Sequence, residues 1–212
     1  MRALQEAYQG VVNGELPRVE HAVRTALAEG VAARQILDGA LIPAMTEVGR
    51  LFEEQQYFLP ELIVAGAAMK AGVAIIRPNL VDAGTDQSAG RVLLGTVEGD
   101  LHDIGKNLVA MMLGGAGFEV VDIGVDAPVA KFVESAKAGV DLVGISALLT
   151  GTMPAMKRVV EAIGEAGLRP GIKVMVGGAP VTQGYADAIG ADGYAPDAAS
   201  AVRLAKRLVG TS

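Results

Sequence analysis

The chain has no cysteine and no tryptophan. Without cysteine there is no disulfide, no thiolate metal site and no thiol nucleophile, and a reducing compartment suits it. Aromatic residues make up 4% of its 212 residues, so the core has to be aliphatic and closely packed. There are two histidines, His21 and His102. The formal net charge is -6, with no run of Lys or Arg; neither nucleic acid nor an anionic membrane is an expected partner. No Walker loop, His-Glu-x-x-His or EF-hand pattern is present. The start, Met1-Arg2-Ala3-Leu4-Gln5-Glu6, lacks the apolar core of a signal peptide. The longest apolar stretch, Leu62 to Ile76, is broken by Lys70 and falls short of the ~20 residues a membrane span needs. The expectation is a soluble cytoplasmic protein.

What is present falls into two textures. Residues 1–77 carry apolar side chains at three- and four-residue spacings, predicting helices over Ala3–Asn13, Pro17–Glu29, Ala32–Glu54 and Pro60–Arg77. Pro17 and Pro60 sit where first helical turns accept proline. Short connections between them suggest an antiparallel four-helix bundle. Residues 78–90 lose the period and are rich in turn formers, as a linker would be.

From Arg91 short β-rich runs alternate with helical stretches. Strands are predicted at Arg91–Val97, Glu119–Ile123, Leu142–Ser146, Lys173–Val176 and Gly193–Ala195. Helices are predicted at Ile104–Gly115, Pro128–Ala138, Thr152–Ala166, Val181–Ile189 and Ala198–Val209. Such βα repeats predict an open parallel sheet with helices on both faces, a flavodoxin-like or Rossmann-like α/β domain over 91–212.

Ligands of such sheets bind beyond the carboxyl ends of the strands. The loop after the first strand carries Asp100 and His102. In a flavodoxin-like strand order the third strand is its neighbour, which would bring Ser146 beside them. His102 offers a nitrogen ligand or base. Asp100 can accept from the other ring nitrogen, fixing the tautomer, and Ser146 can extend the relay. A Ser-His-Asp hydrolase fits poorly, because Gly144-Ile145-Ser146-Ala147-Leu148 lacks the second glycine of a nucleophile elbow. Gly95, Gly144, Gly177 and Gly178 lie in or at the ends of strands, where glycine leaves room for a ligand or another backbone. A slot lined by glycines, Ser146 and Thr150 would take an elongated ligand.

Asp100-x-His102-x-x-Gly105, then Ser146-x-Leu148, then Gly177-Gly178 resemble the three-part signature of cobalamin-binding domains. The string Gly95 to Asn107 is similar to the version in cobalamin-dependent methionine synthase and in corrinoid proteins of methyltransferase systems. Val48-Gly49-Arg50-Leu51-Phe52-Glu53-Glu54, Tyr57-Phe58-Leu59-Pro60-Glu61-Leu62 and Met69-Lys70 resemble the helical cap domain that precedes it. The resemblance spans essentially the whole chain.

This resemblance implies a bound cobamide, methylcobalamin in its methylated state, with the cofactor's own base displaced into the slot. It implies His102 as lower axial ligand of cobalt, with Asp100 and Ser146 completing the ligand triad. Gly105, Leu148, Thr150, Gly177 and Gly178 would line the cofactor, and Phe52 and Leu59 would cover its methyl-bearing face. The cap would then move to admit methyl donor or acceptor. The implied role is a methyl carrier, working with a substrate-specific methyltransferase, an acceptor methyltransferase that delivers to a thiol or folate, and a reductive activase. Two other roles carry similar domains: a cobalamin-sensing regulatory module, and the cobalamin subunit of an adenosylcobalamin-dependent mutase.

Overall fold

The computed structural model describes residues 2–82 and 88–210. The chain divides into two compact units, Met1–Gln87 with Gly114–Gly117, and Ser88–Leu113 with Phe118–Ser212.

The first unit is helical, as expected: α1 (Arg2–Val12), α2 (Leu16–Ala28), α3 (Ala33–Ile36), α4 (Ile42–Glu53) and α5 (Leu59–Asp82). α1 buries Ala3, Ala7, Gly10 and Val11, and α2 buries Val19, Ala22, Val23 and Ala26; both are stripes at helical spacing. Small residues let these helices approach closely. A Cβ on Gly10 would stand 2.8 Å from Val19 Cγ2. Gly14 (φ 69°) and Gly30 (φ 81°) take the left-handed turns that follow α1 and α2. The Glu61 carboxylate accepts from Phe58 N at 2.9 Å at the start of α5, the returning half of a capping box.

Two expectations are corrected here. The single helix predicted over Ala32–Glu54 is interrupted by a π-helical turn, Leu37–Leu41. Pro43 lies in the first turn of α4. It has no N–H to give and its ring crowds the carbonyl four residues back, so the ladder widens just before it. The helix predicted to stop at Arg77 continues through Pro78 to Asp82, so the first part of the expected 78–90 linker is helical; residues 83–87 lie outside the described residues. The apolar stretch thought too short to span a membrane thus belongs to a longer helix, whose Leu59–Leu80 part has the length and composition to cross one. Leu62, Ala65, Ala68, Met69 and Ile76 of that helix are buried, and it packs on α1, α2 and α4.

The second unit alternates β1 (Arg91–Thr96), α6 (Ile104–Gly115), β2 (Glu119–Asp122), α7 (Val129–Lys137), β3 (Leu142–Ser146), α8 (Met153–Glu165), β4 (Lys173–Gly177), α9 (Gln183–Ile189), β5 (Gly193–Ala195) and α10 (Ala198–Val209). All strand pairs are parallel, in the order β2-β1-β3-β4-β5. That is the flavodoxin-like order, with β1 flanked by β2 and β3 at the switch point. Leu93, Val143, Ile145, Val174 and Val176 face a core that Phe132, Met156, Val159 and Ile163 of α7 and α8 complete. Alternation turns the residues between them to the other face. There, Thr96, Ser146, Gly177 and Ala195 are successive register partners across four strands. This row of small residues lies at the carboxyl ends of the strands.

Candidate functional site

The site is built on the turn that follows β1. Val97 extends β1 by one bridge to Ala127, and Asp100 N donates to Val97 O at 3.1 Å. Gly99 holds φ at 83° in the third position of that turn, a conformation glycine reaches at little cost. The turn sends the Asp100 side chain inward, where it is fully buried.

Every lone pair that burial strips of water finds a donor. Oδ1 accepts from His102 N at 3.1 Å and lies 2.7 Å from His102 Nδ1. Oδ2 accepts from Leu148 N at 2.7 Å, Leu149 N at 3.3 Å and the Thr152 hydroxyl at 2.9 Å. Burial alone would push the Asp100 carboxyl up. The bonds from Leu148 N, the His102 ring, His102 N and Thr152 outweigh it and hold the carboxyl far below the usual carboxylate range.

An ionised Asp100 fixes His102. The neutral imidazole keeps its proton on Nδ1, facing the carboxylate, and leaves the Nε2 lone pair free. The buried Thr96 hydroxyl donates to His102 O at 2.9 Å and holds the backbone. The imidazole is 51% exposed, so Nε2 is presented outward. Its neighbours Leu101 and Ile104 are 72% and 68% exposed, and Leu148 and Leu149, whose amides hold Asp100, are 41% and 46% exposed. A polar donor with an apolar surround suits a large flat ligand better than bulk water.

Ser146 is not among the donors to Asp100. It ends β3, partly buried, in register with Thr96 and Gly177. The hydroxyl that reaches the carboxylate is Thr152, which sequence reasoning missed. Its place before a helix start was visible in the sequence, but its partner was not. Thr152 occupies the N-cap position of α8, directly before Met153-Pro154, yet makes no side-chain cap bond to its helix. Its hydroxyl sits 2.9 Å from both Asp100 Oδ2 and Leu149 O, and with one proton it donates to one of them at a time.

The glycines divide. A Cβ on Gly95 would meet Ile123 and Phe132 at 2.7 Å, and one on Gly144 would meet Leu94 at 2.3 Å. Protein side chains take the space expected there for a ligand. Gly178, at φ 128°, lets the β4 loop touch the β3 loop, since a Cβ would lie 1.9 Å from Ala147 O. Around Gly105, by contrast, nothing stands within 4 Å of a would-be Cβ. Thr150 is exposed in the β3–α8 loop. In the helical unit, Phe52 is half-buried near the end of α4, and Leu59, at the start of α5, is 37% exposed. The Asp103 carboxylate, just before α6, accepts from the Asn107 side chain at 3.0 Å.

Among the described residues no group of three or more His, Asp or Glu side chains could hold a bare metal ion. One outward imidazole fits a metal that arrives with its other ligands already in place, as in a macrocycle.

Comparison with known proteins agrees with that donor set. Residues 90–203 match the B12 binding domain family, and residues 3–77 match a second family also described as a B12 binding domain. Dimethylamine corrinoid protein 3 of Methanosarcina acetivorans is 46% identical over 207 residues, covering 97% of this chain and 96% of that protein. A cobalamin-binding protein from Desulfitobacterium hafniense has a solved structure that superposes with a TM-score of 0.79 at 33% identity, covering 97% of this chain and 98% of that one. A chain of the methanol:cobalamin methyltransferase complex from Methanosarcina barkeri superposes with a TM-score of 0.89 at 29% identity, covering all of this chain and 81% of that one. The chain belongs to the B12-binding corrinoid proteins, and its cofactor is a corrinoid.

Proposed function

We propose that this member of the corrinoid family is the methyl carrier of a cytoplasmic methyltransferase system, holding its cofactor with His102 as lower axial ligand and the cofactor's own base displaced. The observation that carries the reading is the His102 imidazole, tied through Nδ1 to a buried Asp100 2.7 Å away while its ring is half exposed. When bound, the corrinoid supplies a cobalt that accepts a methyl group and gives it up again.

The protein's part is to present, orient and exclude. Asp100 keeps the Nδ1 proton and so keeps the Nε2 lone pair available. The same carboxylate would hold the ring in position to bind the metal through Nε2. The Thr152 hydroxyl and the Leu148 and Leu149 amides keep Asp100 ionised. Leu101, Ile104, Leu148 and Leu149 would exclude water from the lower side of the macrocycle. Gly105 leaves room for close approach, and Ser146, Thr150, Gly177 and Gly178 would line the slot for the displaced tail. Phe52 and Leu59 would contribute apolar cover to the methyl-bearing face.

The reading includes two methyltransferase partners, one loading and one unloading, and a reductive activase. The dimethylamine corrinoid relatives support a methylated amine as the donor. Reconstitution with hydroxocobalamin tests the central claim. Wild type should show the absorption spectrum of a histidine-ligated corrinoid, and His102→Ala should show that of a corrinoid without it. A wild type that retains no corrinoid, or a variant with an unchanged spectrum, overturns the reading.

A further inference from the structure

The loop between β2 and α7 takes no part in the signature residues, yet it runs along the turn that carries His102. Thr96 N donates to Gly124 O, and Ala127 N donates to Thr96 O, both at 3.0 Å. Between these two bonds stands Asp126. Its Oδ1 accepts from Gly99 N at 2.7 Å, and its backbone N donates to Asp100 O at 2.9 Å. The pair brackets the Asp100 Cα. Asp100 is therefore held from two sides: its backbone by Asp126 beyond β2, its carboxylate by Leu148, Leu149 and Thr152 beyond β3.

Asp126 does this at φ 49°, in the left-handed region. Glycine would hold that conformation at less cost, and Asp is tolerated there because its short polar side chain can bond locally. The side chain is largely exposed, so no packing explains it. What it supplies is an acceptor for the amide of Gly99, itself a left-handed residue at φ 83° and the most pliant point of the turn.

We propose that Asp126 is a positioning residue for the axial ligand: by clamping the Gly99–Asp100 backbone it sets where Asp100, and through it the His102 imidazole, stands relative to the bound corrinoid. This rests on His102 being that ligand. Its role runs through the backbone of Gly99 and Asp100, which it holds.

Three substitutions separate the acceptor from the backbone conformation. Asp126→Asn keeps both. Asp126→Gly keeps the conformation and loses the acceptor. Asp126→Ala loses both. Each full-length variant is reconstituted with hydroxocobalamin, the ratio of histidine-ligated to unligated corrinoid is read from the absorption spectrum, and the melting temperature is measured without cofactor. Asn should match wild type. Gly should melt within about 2 °C of wild type, yet its ligated-to-unligated ratio should fall by about tenfold, as loss of one well-formed hydrogen bond allows. Ala should lose both ratio and stability. A Gly variant with the wild-type spectrum overturns the positioning role, and so does an Asn variant that falls with Gly. If wild type itself shows no histidine ligation, the functional reading fails and this inference with it. A ligated wild type beside an unaltered Gly variant fails only the inference.

Discussion

In the helical unit Gly10 and Gly72 make room for side chains, whereas Gly178 at the α/β site makes room for backbone. A Cβ on Gly10 would lie 2.8 Å from a Val19 methyl, and one on Gly72 3.0 Å from a Val19 methyl and 3.2 Å from a Leu41 methyl; both are inside van der Waals contact, but such groups can turn aside. A Cβ on Gly178 would strike the Ala147 carbonyl, which cannot. The polar interactions differ in the same way. The helical unit displays ion pairs at its surface, such as Arg50 with Glu47 and Glu54 or Arg34 with Asp38. The α/β unit buries one carboxylate and satisfies it completely. A surface pair can be lost for little, and a buried acceptor cannot. The polar contacts of the first unit are therefore individually replaceable. In the second, one buried set of them gathers where three loops meet.

The largest effect should come from Gly178→Ala. The left-handed backbone and the clash together should cost about 3–4 kcal/mol, read as a lower melting temperature. Gly30→Ala, also left-handed but with nothing within 4 Å, should cost only about 1 kcal/mol. Equal losses at the two positions would break the contrast.

Asp100→Ala should follow, at about 3 kcal/mol, because the Leu148 amide, the His102 ring and the Thr152 hydroxyl lose their acceptor together. The carboxyl of Asp100 is held below its unfolded value, so its contribution is fully present above the ordinary carboxylate range. It should be lost as pH falls through that range and below it. Acid titration of unfolding should therefore show wild type and the variant converging at low pH and separated near neutrality. Curves that stay parallel throughout would show that the ionised form is not what the site stabilises.

A smaller effect is expected one bond further out. Thr152→Val keeps the shape and removes the donor, for about 1–2 kcal/mol, while Thr152→Ser should lie close to wild type. Ser146→Ala should not reproduce the Val result; if it did, the relay would run through Ser146 after all. Arg50→Ala should be smallest, under about 0.5 kcal/mol by denaturant unfolding, since its partners Glu47 and Glu54 are partly solvated.

Much of the fold was legible because its signals are local. Apolar spacing marked the helices, and short runs, β-branched in the middle strands, marked all five strands to within a residue or two. The misses have local causes with non-local outcomes. Pro43 was visible, but whether a proline ends, bends or widens a helix depends on how neighbouring turns can shift. The helix was expected to end at Arg77 because the period is lost beyond it, yet Pro78 removes only one N–H bond and the helix runs on to Asp82. At the site, Asp100 and His102 are two residues apart and their pairing could be read from spacing. Ser146 was assigned to the relay from its place at the end of β3; the Thr152 hydroxyl, at the start of α8, reaches the carboxylate only through the path of the intervening loop. Asp126 gave no signal of its own, because its partner lies 27 residues back in the chain.

By itself the sequence determined the order of helices and strands, the aliphatic core and the identity of the outward imidazole with its carboxylate, all properties of neighbouring residues and their periods. Only the tertiary structure decided which hydroxyl meets Asp100, which glycines make room for backbone rather than for side chains, and that the β2–α7 loop clamps the turn from behind. These depend on parallel strands β2, β1 and β3 ending side by side, where loops far apart in the chain exchange hydrogen bonds that no spacing within one of them encodes.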